Sequence, residues 1–78
     1  MMKEVTVYSM NNCAYCDILK QFLKSQNVSF EEIKVSDQPD IVQMLLNSSG
    51  QMGLPQTKID GQWVVGYHPD AIMKILDA

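Results

Sequence analysis

The sequence contains no arginine; all six of its basic side chains are lysines. Arginine is the residue that grips phosphates and base edges with two parallel hydrogen bonds, and here nine acids outweigh the lysines to leave a net charge of −3. No nucleic-acid partner and no anionic membrane surface are therefore expected. Long apolar runs are also missing. Nothing approaches the roughly 18 consecutive apolar residues of a membrane span. The start, Met1-Met2-Lys3-Glu4-Val5-Thr6-Val7-Tyr8, has no apolar run of signal-peptide length, so the expected location is cytoplasmic. Cysteine is scarce: two residues are too few to staple a secreted scaffold, and a reducing compartment disfavours a permanent disulfide. Histidine is scarcer still. With His68 alone beside two cysteines, one chain cannot assemble the four ligands of a closed zinc site.

What is present is the balance of a folded domain, 46% apolar and 19% charged, rather than that of a disordered chain. Seventy-eight residues make a single domain, 1–78, with one core and a stability of roughly a few kcal/mol. Lys3 to Ser9 alternates β-branched and aromatic residues and reads as a strand. From Ala14, the apolar residues Ile18, Leu19, Phe22 and Leu23 recur at helical spacing as far as Gln26-Asn27. Val28 to Lys34 alternates again. Ser36-Asp37-Gln38-Pro39 opens a second helix whose stripe is Ile41, Val42, Leu45 and Leu46, closed by Ser48-Ser49-Gly50. After a loop at Gln51 to Leu54, Thr57-Lys58-Ile59 and Gln62 to Val65 flank Asp60-Gly61, the signature of a type I′ hairpin turn. Pro69-Asp70 opens a last helix with Ile72, Ile75 and Leu76 on one face.

The order is βαβαββα. The first βαβ unit sets two strands parallel through a right-handed crossover, and the hairpin adds two antiparallel strands. Strands one and two carry few charges on this reading, so helices are expected on both faces. The fold class is α/β: a three-layer α/β/α with a four-stranded mixed sheet.

Cys13 falls where the first strand gives way to the first helix. Unpaired backbone N–H groups and the positive end of the helix dipole favour thiolate over thiol there. Cys16 lies one turn further on the same side, within reach for a disulfide. One cysteine of such a pair attacks a substrate disulfide and the other resolves the mixed intermediate. Two buried structural cysteines are the bland alternative, but that spacing on a strand-to-helix turn is specific. A copper carrier is a weaker one. Met10 stands three residues before Cys13, where the carriers' M-x-C-x-x-C has two, and the element order differs.

Three stretches give the whole chain a resemblance to the glutaredoxin family of the thioredoxin superfamily. "VYSMNNCAYC" resembles the family's first strand running into C-P-Y-C, with Tyr15 at the usual tyrosine. "GLPQTKIDG" is similar to the loop whose proline is cis, which implies that Pro55 sits beside the cysteines. "VGYHPDAI" is similar to the glycine-plus-acid segment opening the last helix, closest to the G-F-x-P-D form of redoxins that serve ribonucleotide reductase.

The resemblance implies a thioredoxin-like fold and a thiol–disulfide oxidoreductase acting on protein disulfides or glutathione mixed disulfides. Cys13 would be the nucleophile and Cys16 the resolving thiol. Leu54 and Pro55 would hold the substrate backbone, as an added strand would be held. Tyr15, Gly66, Tyr67 and Asp70 would line the cleft. Plain alternatives stand beside these: Tyr67 and Trp63 as packing, Asp70 as an acid complementing the helix dipole, His68 as a solvent-facing cap. No metal site and no tightly bound cofactor are implied. Partners are disulfide-containing proteins, and the reductant is glutathione, the family's default, or a flavin-dependent thioredoxin reductase. The expected state is a monomer.

Three departures bear on glutathione. Met10 replaces the usual lysine, Ala14 replaces the motif proline, and Pro69 offers no N–H. Each lost charge-assisted bond to a carboxylate would cost about 1.5–3 kcal/mol. Ala14 is compatible with a second class of function, in which Cys13 and glutathione thiols hold a [2Fe–2S] cluster between two chains.

Overall fold

The computed structural model describes residues 3–36, 38–51 and 53–77. Its elements are β1 (Val5–Ser9), α1 (Ala14–Ser25), β2 (Glu31–Lys34), α2 (Pro39–Ser49), β3 (Gln56–Ile59), β4 (Gln62–Val65) and α3 (Pro69–Leu76). The sheet runs β2-β1-β3-β4, with β1 parallel to β2 and antiparallel to β3, and β3 antiparallel to β4. This is the mixed four-stranded sheet expected from the sequence.

The period-two alternation decides which face each strand residue serves. Val5 and Val7 join Ile59 and Val64 on one face, where Leu19 and Leu23 of α1 and Ile72 of α3 close over them. Tyr8 faces the other way, packed with Val35 and with Leu45 of α2. Two helices on one face and one on the other make the three layers. Leu19, Leu23 and Ile72 are fully buried, each contributing on the order of 2–3 kcal/mol of apolar burial.

The turns follow their residues. Asp60 and Gly61 both have positive φ, 46° and 89°, as the type I′ turn requires. The turn is pinned to the start of β1: Asp60 N–H donates to the Glu4 carbonyl, and Glu4 N–H donates to Asp60 Oδ1 at 2.9 Å. Gly50 ends α2 at φ 75°, its N–H returning to the Leu46 carbonyl.

Strand two needs correction. It begins at Glu31, not Val28. Asn27 adopts φ 58°, its N–H bonds the Lys24 carbonyl, and Val28 N–H bonds the Leu23 carbonyl. This pair of bonds is a Schellman closure, so Val28 finishes α1 instead of opening a strand. β2 is also an edge strand, and Glu31, Glu32 and Lys34 make it a charged one, which suits an edge. The need for cover on both faces comes from β1, β3 and β4. At the start of α2, Pro39 takes the first turn and the Gln38 side chain donates back to the Lys34 carbonyl instead of capping the helix. Asp37 lies outside the described residues. Among the described residues, no helix is long and apolar enough to cross a membrane.

Candidate active site

Cys13 is the N-cap of α1. Its backbone is extended (φ −113°, ψ 106°), and its Sγ accepts a hydrogen bond from Cys16 N–H at 3.2 Å. The preceding Asn12 holds φ 56°, a conformation asparagine tolerates better than most residues, and this turns the chain from β1 into the helix. Cys13 and Cys16 form a disulfide with their Cα atoms 5.2 Å apart. Cys13 is partly accessible, whereas Cys16 is fully buried beside Leu19 on the inner face of α1. One sulfur is therefore open to a partner while the other is shielded.

The second half of the site comes from the antiparallel pairing of β3 with β1. Tyr8 stands opposite Gln56, so the residues just before Gln56 lie at the same end of the sheet as the turn leading to Cys13. The Leu54–Pro55 peptide bond is cis. Pro55 is buried, and Gly66 N–H donates to its carbonyl at 2.7 Å, which joins the loop before β3 to the segment after β4. Gly66 itself holds φ 87°, and a Cβ there would stand 3.4 Å from His68 Nε2. Leu54 is half-buried against the α2 side of the core.

The other expected site residues are placed less uniformly. Tyr15 is 64% exposed on the outer side of α1. The Tyr67 ring stands edge-on to Phe22 of α1 at 6.2 Å, in the seam between α1 and α3. Asp70 is exposed in the first turn of α3 and makes no ion pair or side-chain hydrogen bond among the described residues. The structure thus joins Cys13 to Cys16 and Pro55 to Gly66, and turns Tyr15 outward. Trp63 packs on Tyr8, ring centroids 5.5 Å apart, across the sheet face that α2 covers.

Charge around the cysteine turn is arranged by β2. In the β1–β2 register Lys34 stands beside Ser9, and its Nζ donates to Asn11 Oδ1 at 3.1 Å. A cation from a neighbouring strand is thereby fastened to the turn in which Met10 brings none. Glu32 accepts from Lys20 Nζ of α1 and from the fully buried Ser9 hydroxyl, both at 2.7 Å. The Lys20 ammonium, then the Ser9 hydroxyl, hold the Glu32 carboxyl below its ordinary range, and Glu32 in turn raises Lys20 above its own. Sequence reasoning missed Lys34 and Glu32 because only the register brings them here. It also missed Gln56, a fully buried amide at the start of β3.

Among the described residues, three of the four large hydrophobic ones left exposed belong to the cysteine turn and the first turns of α1: Met10 at 46%, Tyr15 at 64% and Ile18 at 42%. Tyr15 and Ile18 are three residues apart and so adjacent on the helix surface. Among the described residues, no group of three or more His, Cys, Asp or Glu side chains is placed to hold a metal ion.

The family model described as glutaredoxin matches residues 5–64. A glutaredoxin-like 8.6 kDa protein in the rubredoxin operon of Clostridium pasteurianum is 32% identical over 73 residues, covering 94% of this chain and 97% of that one. The glutaredoxin-like protein NrdH of Lactococcus lactis is 32% identical over 71 residues, covering 91% and 97%. Among solved structures, the glutaredoxin-like NrdH-redoxin of Escherichia coli, described as having a thioredoxin-like activity profile, superposes with a TM-score of 0.81. It is 26% identical, over 92% of this chain and 93% of that one.

Proposed function

The chain belongs to the glutaredoxin family of thiol–disulfide oxidoreductases, and we propose that it reduces protein disulfides with electrons taken from a protein dithiol. The exposed apolar side chains of Met10, Tyr15 and Ile18, in the cysteine turn and the first turns of α1, support this reading most directly. Aromatic and methionine side chains are enriched in the contact surfaces of protein partners. Glutathione, by contrast, presents two carboxylates, and in this chain position 10 carries a thioether while position 69 lacks an N–H.

The reaction follows from the two sulfurs. In the reduced protein, the Cys13 thiolate, favoured by its place at the helix start, attacks one sulfur of the substrate disulfide and expels the other as a thiolate. A mixed disulfide results. Cys16 then gives up its proton and attacks Cys13 Sγ, releasing the second substrate sulfur and closing the Cys13–Cys16 disulfide. Two electrons have passed to the substrate, whose two thiolates take up protons. A dithiol of a flavin-dependent thioredoxin reductase returns two electrons by the reverse exchange. Leu54 and Pro55 hold the substrate chain, and Gly66, Tyr67 and Asp70 line the cleft.

The donor assay decides the reading. Reduction of a protein disulfide is followed with either glutathione plus glutathione reductase or a thioredoxin reductase plus its nicotinamide substrate. The expected result is turnover with the second and at least about tenfold less with the first, one lost charge-assisted bond being enough for that. Equal or faster turnover with glutathione would overturn the donor assignment. A brown, dimeric protein after anaerobic iron–sulfide reconstitution with glutathione would favour the cluster-carrying alternative.

A further inference from the structure

Gln56 is fully buried, and its side chain leaves the sheet to enter the loop before β3. Its Nε2 donates to the Gln51 carbonyl at 2.8 Å and to the Gly53 carbonyl at 3.0 Å. Its Oε1 accepts from Ser49 Oγ at 2.7 Å, the shortest contact that this hydroxyl makes. The orientation of the amide is dictated by chemistry, because a flipped group would set its oxygen against two carbonyls. Both amide protons are used, and two loop carbonyls are tied to a strand whose own position is fixed by pairing with β1.

Beyond this bracket, the Pro55 carbonyl is fixed to Gly66 N–H at 2.7 Å. Leu54 therefore lies between two fastened points, and its own backbone N–H and carbonyl carry no hydrogen bond among the described residues. A half-buried residue with both backbone groups unpaired, held from either side, is a template for one stretch of extended chain. It stands at the end of the sheet where β1 turns into Cys13.

We propose that Gln56 is a positioning residue for substrate: its buried amide fixes the Gln51 and Gly53 carbonyls so that the Leu54 backbone meets the peptide flanking the attacked disulfide. The inference rests on the proposed reading of Cys13 as nucleophile and adds how a peptide is aligned on it. Gln56 touches neither sulfur nor substrate. Its loss acts through the loop, so only substrates with a peptide backbone feel it.

The test compares two disulfides reduced in single turnover by the prereduced full-length protein. One is a disulfide-linked extended peptide; the other is bis(2-hydroxyethyl) disulfide, which has no backbone to align. Gln56→Met keeps length and burial but removes all three bonds. It is expected to slow the peptide reaction about tenfold, the scale of a displaced binding element. Bis(2-hydroxyethyl) disulfide reduction and Cys13 alkylation by iodoacetamide should stay within about twofold of wild type. Ser49→Ala, which removes the hydroxyl bonded to Gln56 Oε1 and to Gln51 N–H but leaves both Gln56 Nε2 donors to the loop, should show the same selectivity at about threefold; if Gln56→Met does not fold, this variant decides. Equal losses on both disulfides, or none on the peptide, would overturn the proposal. A wild-type protein that reduced neither disulfide would instead remove the underlying reading, and the bracket with it.

Discussion

On one side of the sheet, α1 and α3 close over Val5, Val7, Ile59 and Val64 with Leu19, Leu23 and Ile72. On the other, α2 alone closes over Tyr8 and Val35 with Leu45, helped by partly exposed neighbours such as Ile41, Met44 and Trp63. The first side carries the cysteines, rooted in the larger apolar cluster. The second carries the loop that ends at Leu54, and that loop is held by a side-chain amide as much as by apolar contact. Different kinds of fastening suit different tasks. A sulfur that must be attacked from one direction benefits from a rigid helix start, whereas a segment that receives a peptide must keep some backbone groups unpaired. Apolar packing cannot hold such groups in register, but directional hydrogen bonds can.

Breaking the reactive half should have the largest effect. Cys13→Ser is expected to lower disulfide reduction by about a thousandfold or more, since a serine hydroxyl at neutral pH is not a comparable nucleophile. Cys16→Ser leaves the first attack intact and stops its resolution. Mixing that variant with a disulfide-linked protein should accumulate a covalent mixed disulfide, visible on a non-reducing gel and cleared by a small thiol. A Cys13→Ser protein of wild-type activity would sink the mechanism.

Next come the two clusters themselves. Leu23→Ala opens a cavity in the side covered by two helices and should cost about 3–4 kcal/mol, close to the whole stability of so small a domain. Leu45→Ala should cost nearer 2 kcal/mol, because its surroundings include a flexible methionine and half-exposed residues that can settle into the space. Urea midpoints of the two variants test the contrast directly. If Leu45→Ala proved the more damaging, the account of α2 as the looser layer would be wrong.

Legibility divided along the same line. The cysteine turn could be read in the sequence because side chains define it: two cysteines at one-turn spacing, where an alternating pattern becomes a helical one. The Asp60-Gly61 turn was legible for the same reason, the residues being those that positive φ requires. The start of β2 differs from the expected Val28 because Val28 and Phe30 alternate with polar residues as a strand would, and only the acid pair Glu31-Glu32 breaks the phase. Nothing in the side chains says that Val28 N–H is already committed to the Leu23 carbonyl. Gln56 was invisible as a bracket. A polar residue entering a strand reads as surface, and its partners are backbone carbonyls, which leave no trace in the sequence. Lys34 was missed because its neighbour depends on strand register.

Lys34 offers a smaller test of the cysteine side. Its ammonium is tied to Asn11, two residues before Cys13, on an exposed surface. A cation there should favour the thiolate weakly, because water screens it. Lys34→Met is expected to slow iodoacetamide alkylation of the reduced protein by about two- to threefold near neutral pH, through a higher Cys13 pKa. Adding Met10→Lys should restore the rate, and raising the salt should shrink the difference. An unchanged pH profile would leave the helix start as the sole support of the thiolate.

The smallest expected effect concerns the ion pair that ties edge strand β2 to α1. The Glu32 carboxyl is lowered by Lys20 and Ser9, so its folded-state pKa lies below the unfolded value of 4.5. Such a group contributes stability above its unfolded pKa and loses it as pH falls through the folded one. Lys20 is raised above 10.5, so its contribution is complete below that value and is lost as pH climbs through the folded pKa. The pair therefore stabilises from about pH 5 to pH 10, by no more than ~1 kcal/mol given how much of both side chains water still reaches. Urea midpoints of wild type and Glu32→Gln should differ most in that window and converge as the solution is acidified towards about pH 3. A gap that persisted at pH 3 would mean that Glu32 acts through packing and its bond to Ser9. The cysteine side would then owe its attachment to β2 to shape and not to charge.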